Sequence, residues 1–482
     1  MKLSQINQYY ANRSVLITGG TGFVGKVLCE KLIRSCPQIN TVYVLLRPKS
    51  NLSADERLDK EIINSNLFIN SINIDCLKVD KLVAIASDIC EPGLGLSDND
   101  KELLISKVSV VFHLAASINF VGPVDSFIKQ NVLATNEVMK LCDKMTKLET
   151  IVYVSTAYSN CNVKDIAESV YKLKHNALDT IAAINSIGES QGFSSETSAM
   201  SELMDDRPNP YTFSKAIAEN LISEQYSHLP VVIVRPSIVT PVFKEPIPGW
   251  IDNFNGIIML TFLSTLGIVR ICEFLIDGKC DIIPVDILAN SLVVTAWHTA
   301  SHPNDRYRVI NLTSGALNPI TWKQLVNYLM SAIMSAPSIQ MVRPANYTMC
   351  KPIASKIDGI KFRLKRFVSE TLFAYFVDIM QALIGGKWSL IKLVNKLHLT
   401  LKVYKYFMIN EWTFHSNNYY NIYNQLSRED QLIYYSDVRQ IEWKDYICCL
   451  YFGFRKYQLR EDDSNIDRAR KRALIITIAF QI

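Results

Sequence analysis

Eleven residues near the start of the chain constrain its fold more than any other stretch. Residues 15–25 read VLITGGTGFVG. Apolar and β-branched residues run directly into a glycine-rich turn, and Val24, Val27, Leu28, Leu32 and Ile33 then repeat at helical spacing. That is the pattern of strand, tight turn and helix. Gly19, Gly22 and Gly25 follow the spacing G-x-x-G-x-x-G. The first glycine permits the turn, the second lets backbone N–H groups approach a pyrophosphate, and the third packs the helix against its strand. Thr18, Phe23 and Val24 complete the turn that would face such a ligand. A glycine triplet alone also suits an ordinary turn. At the first strand–helix junction of a chain it points to a dinucleotide site.

The following segments alternate strand and helix, which predicts an α/β, Rossmann-like, doubly wound parallel sheet with ligands at the strand C-termini. Residues 41–46 (TVYVLL) form a second buried strand that ends in Arg47-Pro48-Lys49. An acid there would hold the ribose hydroxyl of NAD, whereas a basic residue accommodates the 2′-phosphate of NADP. With Arg47 and Lys49 present and no acid before Asp55, NADPH is favoured over NADH. A helical stretch is expected from Ala54 to Asn66, then a strand over 82–85 ending at Ser87-Asp88-Ile89, where Asp88 is placed to accept from an adenine amine or to serve the turn. A strand at 108–113 leads to Ala115 and Ala116, small residues against which a cofactor can lie, and His113 reads as a packed strand-end histidine. Asn131 begins a helix, and a strand at 151–154 ends in Ser155-Thr156.

Tyr211 and Lys215 form a Y-x-x-x-K on a helix introduced by Pro208 and Pro210. Residues four apart share a helix face. A cation beside a phenol favours the phenolate over its ordinary pKa of about 10. The tyrosine can then deliver a proton to a carbonyl oxygen as hydride arrives at carbon. A strand-end hydroxyl, Thr156 or Ser155, would hold the same oxygen. Between this strand end and Tyr211 lies a polar insertion, Asn185 to Asp206, expected to be a mobile lid or a long surface loop.

At 482 residues, 49% hydrophobic and 20% charged, the chain can bury a large core and has length for two domains. A net charge of +5 is too mild for a nucleic-acid partner. The eleven cysteines are scattered, with no C-x-x-C pair and no zinc spacing, and no secretory signal opens the sequence. This suits reduced thiols facing the cytosol and no metal site.

Together these residues resemble the extended short-chain dehydrogenase/reductase superfamily and, within it, the fatty acyl-CoA reductases, particularly the insect type. The resemblance is carried by TGGTGFVGK (18–26), LLRPK (45–49), VFHLAASINF (111–120), VSTAYSN (154–160), PNPYTFSKAIAE (208–219), IVRPSIV (233–239), GWIDNFNG (249–256), NEWTF (410–414) and GFRKYQLREDD (453–463). It implies reduction of a long-chain acyl-CoA to a fatty alcohol with two NADPH through an aldehyde equivalent. Tyr211 would be the proton donor, Lys215 its tuner and a ribose contact, Thr156 the orienter of the oxyanion, and Asn131 part of a proton relay. Three departures stand out: Ser87 occupies a position usually glycine in the family, 256–269 lacks the family's glycine-rich pattern, and Thr156 and Tyr211 are 55 residues apart with the polar insertion between them.

The resemblance assigns residues 1–340 to an NADP-binding reductase domain with its substrate subdomain, 355–455 to a helical C-terminal domain with a turn at Gly385-Gly386, and 456–482 to a basic then apolar tail. The apolar stretches 256–269, 371–386 and 473–482 fall short of the roughly 20 residues that span a bilayer. Arg468, Arg470, Lys471 and Arg472 beside the last stretch suit interfacial anchoring of a cytosol-facing protein. The family points to the endoplasmic reticulum or peroxisome. The alternatives are an extended reductase acting on a sterol or sugar nucleotide, and a non-catalytic NADP- or lipid-binding homologue. Acyl-chain preference and oligomeric state are not encoded in these motifs.

Overall fold

The computed structural model describes residues 4–49, 51–71, 78–254, 256–346, 348–383, 385 and 389–480. The chain forms two compact units that interleave along the sequence. The first takes 1–247, 282–317 and 412–440, and the second takes 248–281, 318–411 and 441–482.

The first unit is built on seven strands: β1 (Ser14–Thr18), β2 (Thr41–Leu46), β3 (Leu82–Ala86), β4 (Val108–His113), β5 (Thr150–Val154), β6 (Val231–Pro236) and β7 (Val309–Leu312). They lie in the order β7-β6-β5-β4-β1-β2-β3, and every neighbouring pair is parallel. This is the expected doubly wound sheet. Its central strands are apolar at successive positions because both faces are covered. Leu16, Val111, Ile151, Tyr153 and Ile233 face one core, which the helices Ala134–Cys142 and Pro210–Gln225 fill with Val138, Met139, Phe213, Ile217 and Leu221. Val15, Ile17, Val110, Phe112 and Val152 alternate with them and are fully buried too. The helix Phe23–Ser35 packs against Val285–Ser301, which is buried through Thr299.

The insertion between β5 and Tyr211 is helical and is not a long surface loop. It folds into two helices, Ala177–Gln191 and Ser198–Leu203, each started by an N-cap residue, Asn176 and Thr197. Ala177, Ile184 and Met200 enter the core beneath the sheet, and apolar burial outweighs the polar composition that suggests a loop.

In the second unit the sequence forms helices at Ile257–Thr265, Trp322–Ser335, 356–383, Leu390–Ile409, Trp443–Tyr457 and Ile466–Ala479. Gly385, with φ +74, lies between the third and fourth of these, and Asp378 caps the fourth through Leu390 N and Ile391 N. Gly386 lies outside the described residues.

Candidate active site

The strand order reverses between β1 and β4, the place where doubly wound sheets bind their ligands. Gly19 follows β1 with φ +75, and a Cβ there would lie 2.8 Å from the backbone nitrogen of Ala115, just beyond β4. A Cβ on Gly25 would come within 2.2 Å of the Gly19 carbonyl oxygen. Only glycine allows both approaches. Gly22 occupies the N-cap of the helix Phe23–Ser35 and supplies no side-chain cap, which leaves the backbone of the turn open to close approach at the positive end of that helix, with Phe23 and Val24 in its first turn. That is the cradle a dinucleotide pyrophosphate takes.

Thr18 supports this cradle from beneath. Its hydroxyl is fully buried, accepts from Ala115 N at 3.2 Å and lies 2.7 Å from His113 Nδ1. His113 Nε2 lies 3.0 Å from Thr135 Oγ1, which donates to the Asn131 carbonyl at 2.7 Å. With the Thr135 proton spent on that carbonyl, Nε2 carries the ring proton and Nδ1 accepts from Thr18. Burial holds the imidazole neutral, its pKa pushed down to about 3. His113 is therefore a structural strut, and Thr18 a positioning residue.

Asn131 sits within a helix, not at its start. A π-helical stretch, Ile128–Leu133, joins Val124–Phe127 to Ala134–Cys142 without a break, and such wide turns recur at functional sites. Its amide accepts from Ser117 N (2.7 Å) and donates to Ser117 O (3.1 Å) and Ser214 Oγ (2.9 Å). Ser214 in turn donates to the Tyr211 carbonyl at 2.8 Å. Asn131 thus ties the loop after β4 to the helix that bears Tyr211.

That helix, Pro210–Gln225, begins where Asn209 accepts from Thr212 N at 2.9 Å, with Pro210 in the first turn. The Tyr211 ring stacks on Phe120, centroids 5.4 Å apart. One turn on, Lys215 is buried; its Nζ donates to the Val154 carbonyl at 2.8 Å and to Tyr153 Oη at 3.4 Å. Burial pushes the Lys215 pKa down to about 7, and the Glu219 carboxylate acts against that fall.

The two strand-end hydroxyls have different environments. Ser155 Oγ donates to Glu219 Oε1 at 2.5 Å, and Glu219 also takes Ser159 Oγ (3.0 Å) and a two-point contact from Arg235 (3.0 and 2.6 Å). Glu219 and Arg235 are 1% and 0% exposed. Thr156 instead caps the short turn Ala157–Asn160, its hydroxyl accepting from Tyr158 N at 3.3 Å. The proton of Ser155 is spent inside the protein, while that of Thr156 is not used by this cap.

On the far side of the glycine turn, Arg47 is exposed at the end of β2, with its guanidinium 3.6 Å from the Asp88 carboxylate beyond β3. Lys49 is exposed beside it, paired through its backbone with Leu52. Ile89 packs its side chain on the core. Ala115 and Ala116 are half-buried after β4.

Comparison with known proteins agrees with this geometry. A family model described as male sterility protein matches residues 17–292, and a second of the same description matches 369–461. The chain is 36% identical to fatty acyl-CoA reductase 1 of Mus musculus over 468 residues, covering 97% of this chain and 88% of that protein. The human protein of that name is 35% identical over the same coverage. The chain belongs to the fatty acyl-CoA reductase family. Among solved structures, the terminal R domain from the myxalamid PKS-NRPS pathway superposes with TM-score 0.63 at 18% identity, covering 93% of this chain and 92% of that one. The reductase domain of a nonribosomal peptide synthetase from Mycobacterium tuberculosis superposes at 0.59, also at 18% identity, covering 92% and 91%. These show that the reductase fold is shared.

Within this fatty acyl-CoA reductase the motifs left three participants without roles: Ser214, Glu219 and Arg235. Glu219 extends the Tyr211–Lys215 spacing by one further turn, a signal available in the sequence. Its pairing with Arg235 of strand β6 was not. All ten cysteines among the described residues are free.

Proposed function

We propose that this protein reduces long-chain fatty acyl-CoA to the fatty alcohol and free CoA, using two NADPH and passing through an aldehyde-level intermediate. The observation that supports the reading is that the glycine turn follows β1 and Thr156 follows β5 at strand C-termini of one parallel sheet, with Lys215, one helical turn from Tyr211, donating to the Val154 carbonyl at the end of β5. Bound at the glycine turn, the reduced nicotinamide supplies hydride. The thioester carbonyl oxygen is held by the hydroxyls of Thr156 and Tyr211, so that negative charge developing on it is met by donors already in place. Tyr211 gives its proton to that oxygen. The Lys215 ammonium, one turn away, stabilises the phenolate left behind, and the Asn131–Ser214 link fixes the first turn of the helix beneath it. Collapse of the resulting hemithioacetal expels CoA as its thiol, which keeps the proton from the hydroxyl, and leaves an aldehyde; once Tyr211 has regained a proton from solvent and a second NADPH has replaced NADP⁺, the same groups would act on that carbonyl.

NADPH over NADH rests on Arg47 and Lys49. The exposed Arg47–Asp88 pair is weak and exchangeable, so the guanidinium is available to a 2′-phosphate while Asp88 turns to the adenine. The test is NADPH oxidation by purified protein with acyl-CoAs of several lengths, with products identified by mass spectrometry. Fatty alcohol from the wild type and none from Tyr211→Phe supports the reading. Tight NADPH binding with no turnover on any acyl-CoA refutes it. Arg47→Ala is expected to reduce the preference for NADPH over NADH by about tenfold, the worth of one charge-assisted contact.

A further inference from the structure

One stretch of the family resemblance, NEWTF at 410–414, has no part in the reaction proposed above. The chain re-enters the first unit at Trp412, and the residues that follow lie against the turn that Thr156 begins. Thr413–Phe414 pairs in parallel with Asp165–Ile166, with Thr413 N donating to the Lys164 carbonyl and His415 N to the Ile166 carbonyl, both at 2.9 Å. A pair of strands this short is marginal by itself. Asn311 of β7 holds it to the sheet by donating to the carbonyls of Ile166 (3.3 Å) and His415 (2.7 Å).

Two aromatic residues of this strap reach the turn after Thr156. The Trp412 indole N–H donates to the Cys161 carbonyl at 2.9 Å, and both residues are buried. The Trp412 ring meets Tyr158 edge-on, centroids 5.4 Å apart, and the Phe414 ring does the same at 5.5 Å. The Lys164 ammonium lies over the Trp412 ring, 5.0 Å from its centroid. Elsewhere in the turn, Glu219 takes Ser159 Oγ, while Arg207 donates to the Ser159 carbonyl (2.9 Å) and to Asn160 Oδ1 (3.0 Å). Those bonds fix Ser159 and Asn160; Trp412 and Phe414 fix Tyr158. It is Tyr158 N that donates to the Thr156 hydroxyl, at 3.3 Å. That length is at the long end for such a bond, so a small shift of Tyr158 breaks it.

We infer that Trp412 is a positioning residue for Thr156. By holding both the Tyr158 ring and the Cys161 carbonyl, it fixes the N–H that occupies a lone pair of the Thr156 hydroxyl. An occupied lone pair turns the hydroxyl proton away from Tyr158 and keeps it as a donor for the substrate oxygen. Phe414 supports the same ring from a second edge. The inference rests on the role proposed for Thr156. A strap that served the fold alone would cost stability and would lower activity equally whether or not residue 156 carries a hydroxyl.

The test is a double-mutant cycle of Trp412→Phe with Thr156→Ala in the full chain. It is read as single-turnover NADPH oxidation at saturating acyl-CoA, with KM for acyl-CoA and NADPH affinity measured alongside. Trp412→Phe keeps a ring beside Tyr158 and removes the indole donor. It should lower the rate about tenfold, within the roughly hundredfold that a misplacement of about 1 Å costs, while KM and NADPH affinity stay within about twofold of wild type. In the Thr156→Ala background the same change should have no further effect, because the group it positions is gone. Phe414→Leu should repeat the pattern with a loss of about threefold, and it leaves the Cys161 contact intact, so it decides the matter should Trp412→Phe fold poorly. An equal loss from these changes in both backgrounds overturns the inference and leaves Thr156 as the donor. So does a Trp412→Phe enzyme at the wild-type rate beside an impaired Thr156→Ala enzyme. A Thr156→Ala enzyme at the wild-type rate overturns the reading of Thr156 itself, and this inference with it.

Discussion

Removing the two hydroxyls of Ser155-Thr156 one at a time should separate stability from turnover. Ser155 donates to a carboxylate at 2.5 Å in a site whose charged partners are at most 1% exposed. A hydrogen bond to a charged group contributes about 1.5–3 kcal/mol. Glu219 keeps Ser159 and both Arg235 contacts when Ser155 is lost, so the carboxylate is not orphaned and the lower end, about 1.5 kcal/mol, applies to Ser155→Ala. That corresponds to a fall in thermal midpoint of about 3 °C in a unit of this size, with kcat within about threefold of wild type, short of the effect of losing an oxyanion donor. Thr156→Ala loses only a 3.3 Å cap, about 0.5 kcal/mol, but it removes a donor from the carbonyl oxygen. Such donors are worth about 10²–10³ in kcat, and Thr156→Ser should restore most of it. Steady-state NADPH oxidation and thermal denaturation on the same four proteins make the comparison. A Ser155→Ala enzyme without turnover beside an active Thr156→Ala enzyme would refute the assignment.

Two further outcomes are expected. The folded Lys215 releases its proton near pH 7, well below the ordinary lysine value of about 10.5, so above pH 7 the unfolded chain binds more protons and stability rises with pH, by up to about 2.5 kcal/mol between pH 7 and 9. Buried cysteines such as Cys142, whose values burial raises, act in the opposite sense, so the observable is the difference in urea unfolding between wild type and Lys215→Met, which lacks this contribution. Gly25→Ala places a Cβ at 2.2 Å from the Gly19 carbonyl, and because both atoms belong to packed backbone the turn must open; NADPH binding, followed by fluorescence titration, should weaken at least tenfold.

The sheet is legible in the sequence because parallel strands buried on both faces are written as uninterrupted apolar runs. Each run also ends in residues whose chemistry announces a role, as Gly19, Arg47, Asp88, Ala115 and Thr156 do. Where apolar spacing gives way to mixed composition, the reading loses precision. The 185–206 insertion is polar overall, and the few apolar side chains that dock its helices, Ile184 and Met200 among them, are too sparse to announce a period. Asparagine favours caps, which points to a helix start at Asn131; the π-helical stretch that puts it mid-helix leaves no trace in residue type. Ile357, Ile360, Leu364, Val368 and Leu372 recur at the helical spacing that an inward-facing helix would also show, and only the fold shows that they are exposed.

The same distinction bears on Glu219, whose value to the site lies in charge as well as packing. Lys215 is buried deeply enough to lose its proton near pH 7, yet the chemistry proposed for Tyr211 needs it charged. The Glu219 carboxylate, one helical turn further on, favours the protonated form, and Arg235 limits this effect by neutralising part of the carboxylate charge. At about 6 Å and an effective dielectric constant near 20, an unshared carboxylate would contribute about 2.8 kcal/mol to the ammonium; shared with Arg235, about half that remains. Glu219→Gln should therefore shift the alkaline limb of kcat/KM for NADPH-dependent reduction downward by about one pH unit, which costs activity at pH 8 far more than at pH 6. The uncharged amide keeps the shape and can still accept from Ser155, so a loss that came only from packing would lower the profile equally at every pH. A parallel fall across the pH range would show that Glu219 serves the fold and not the charge state of Lys215.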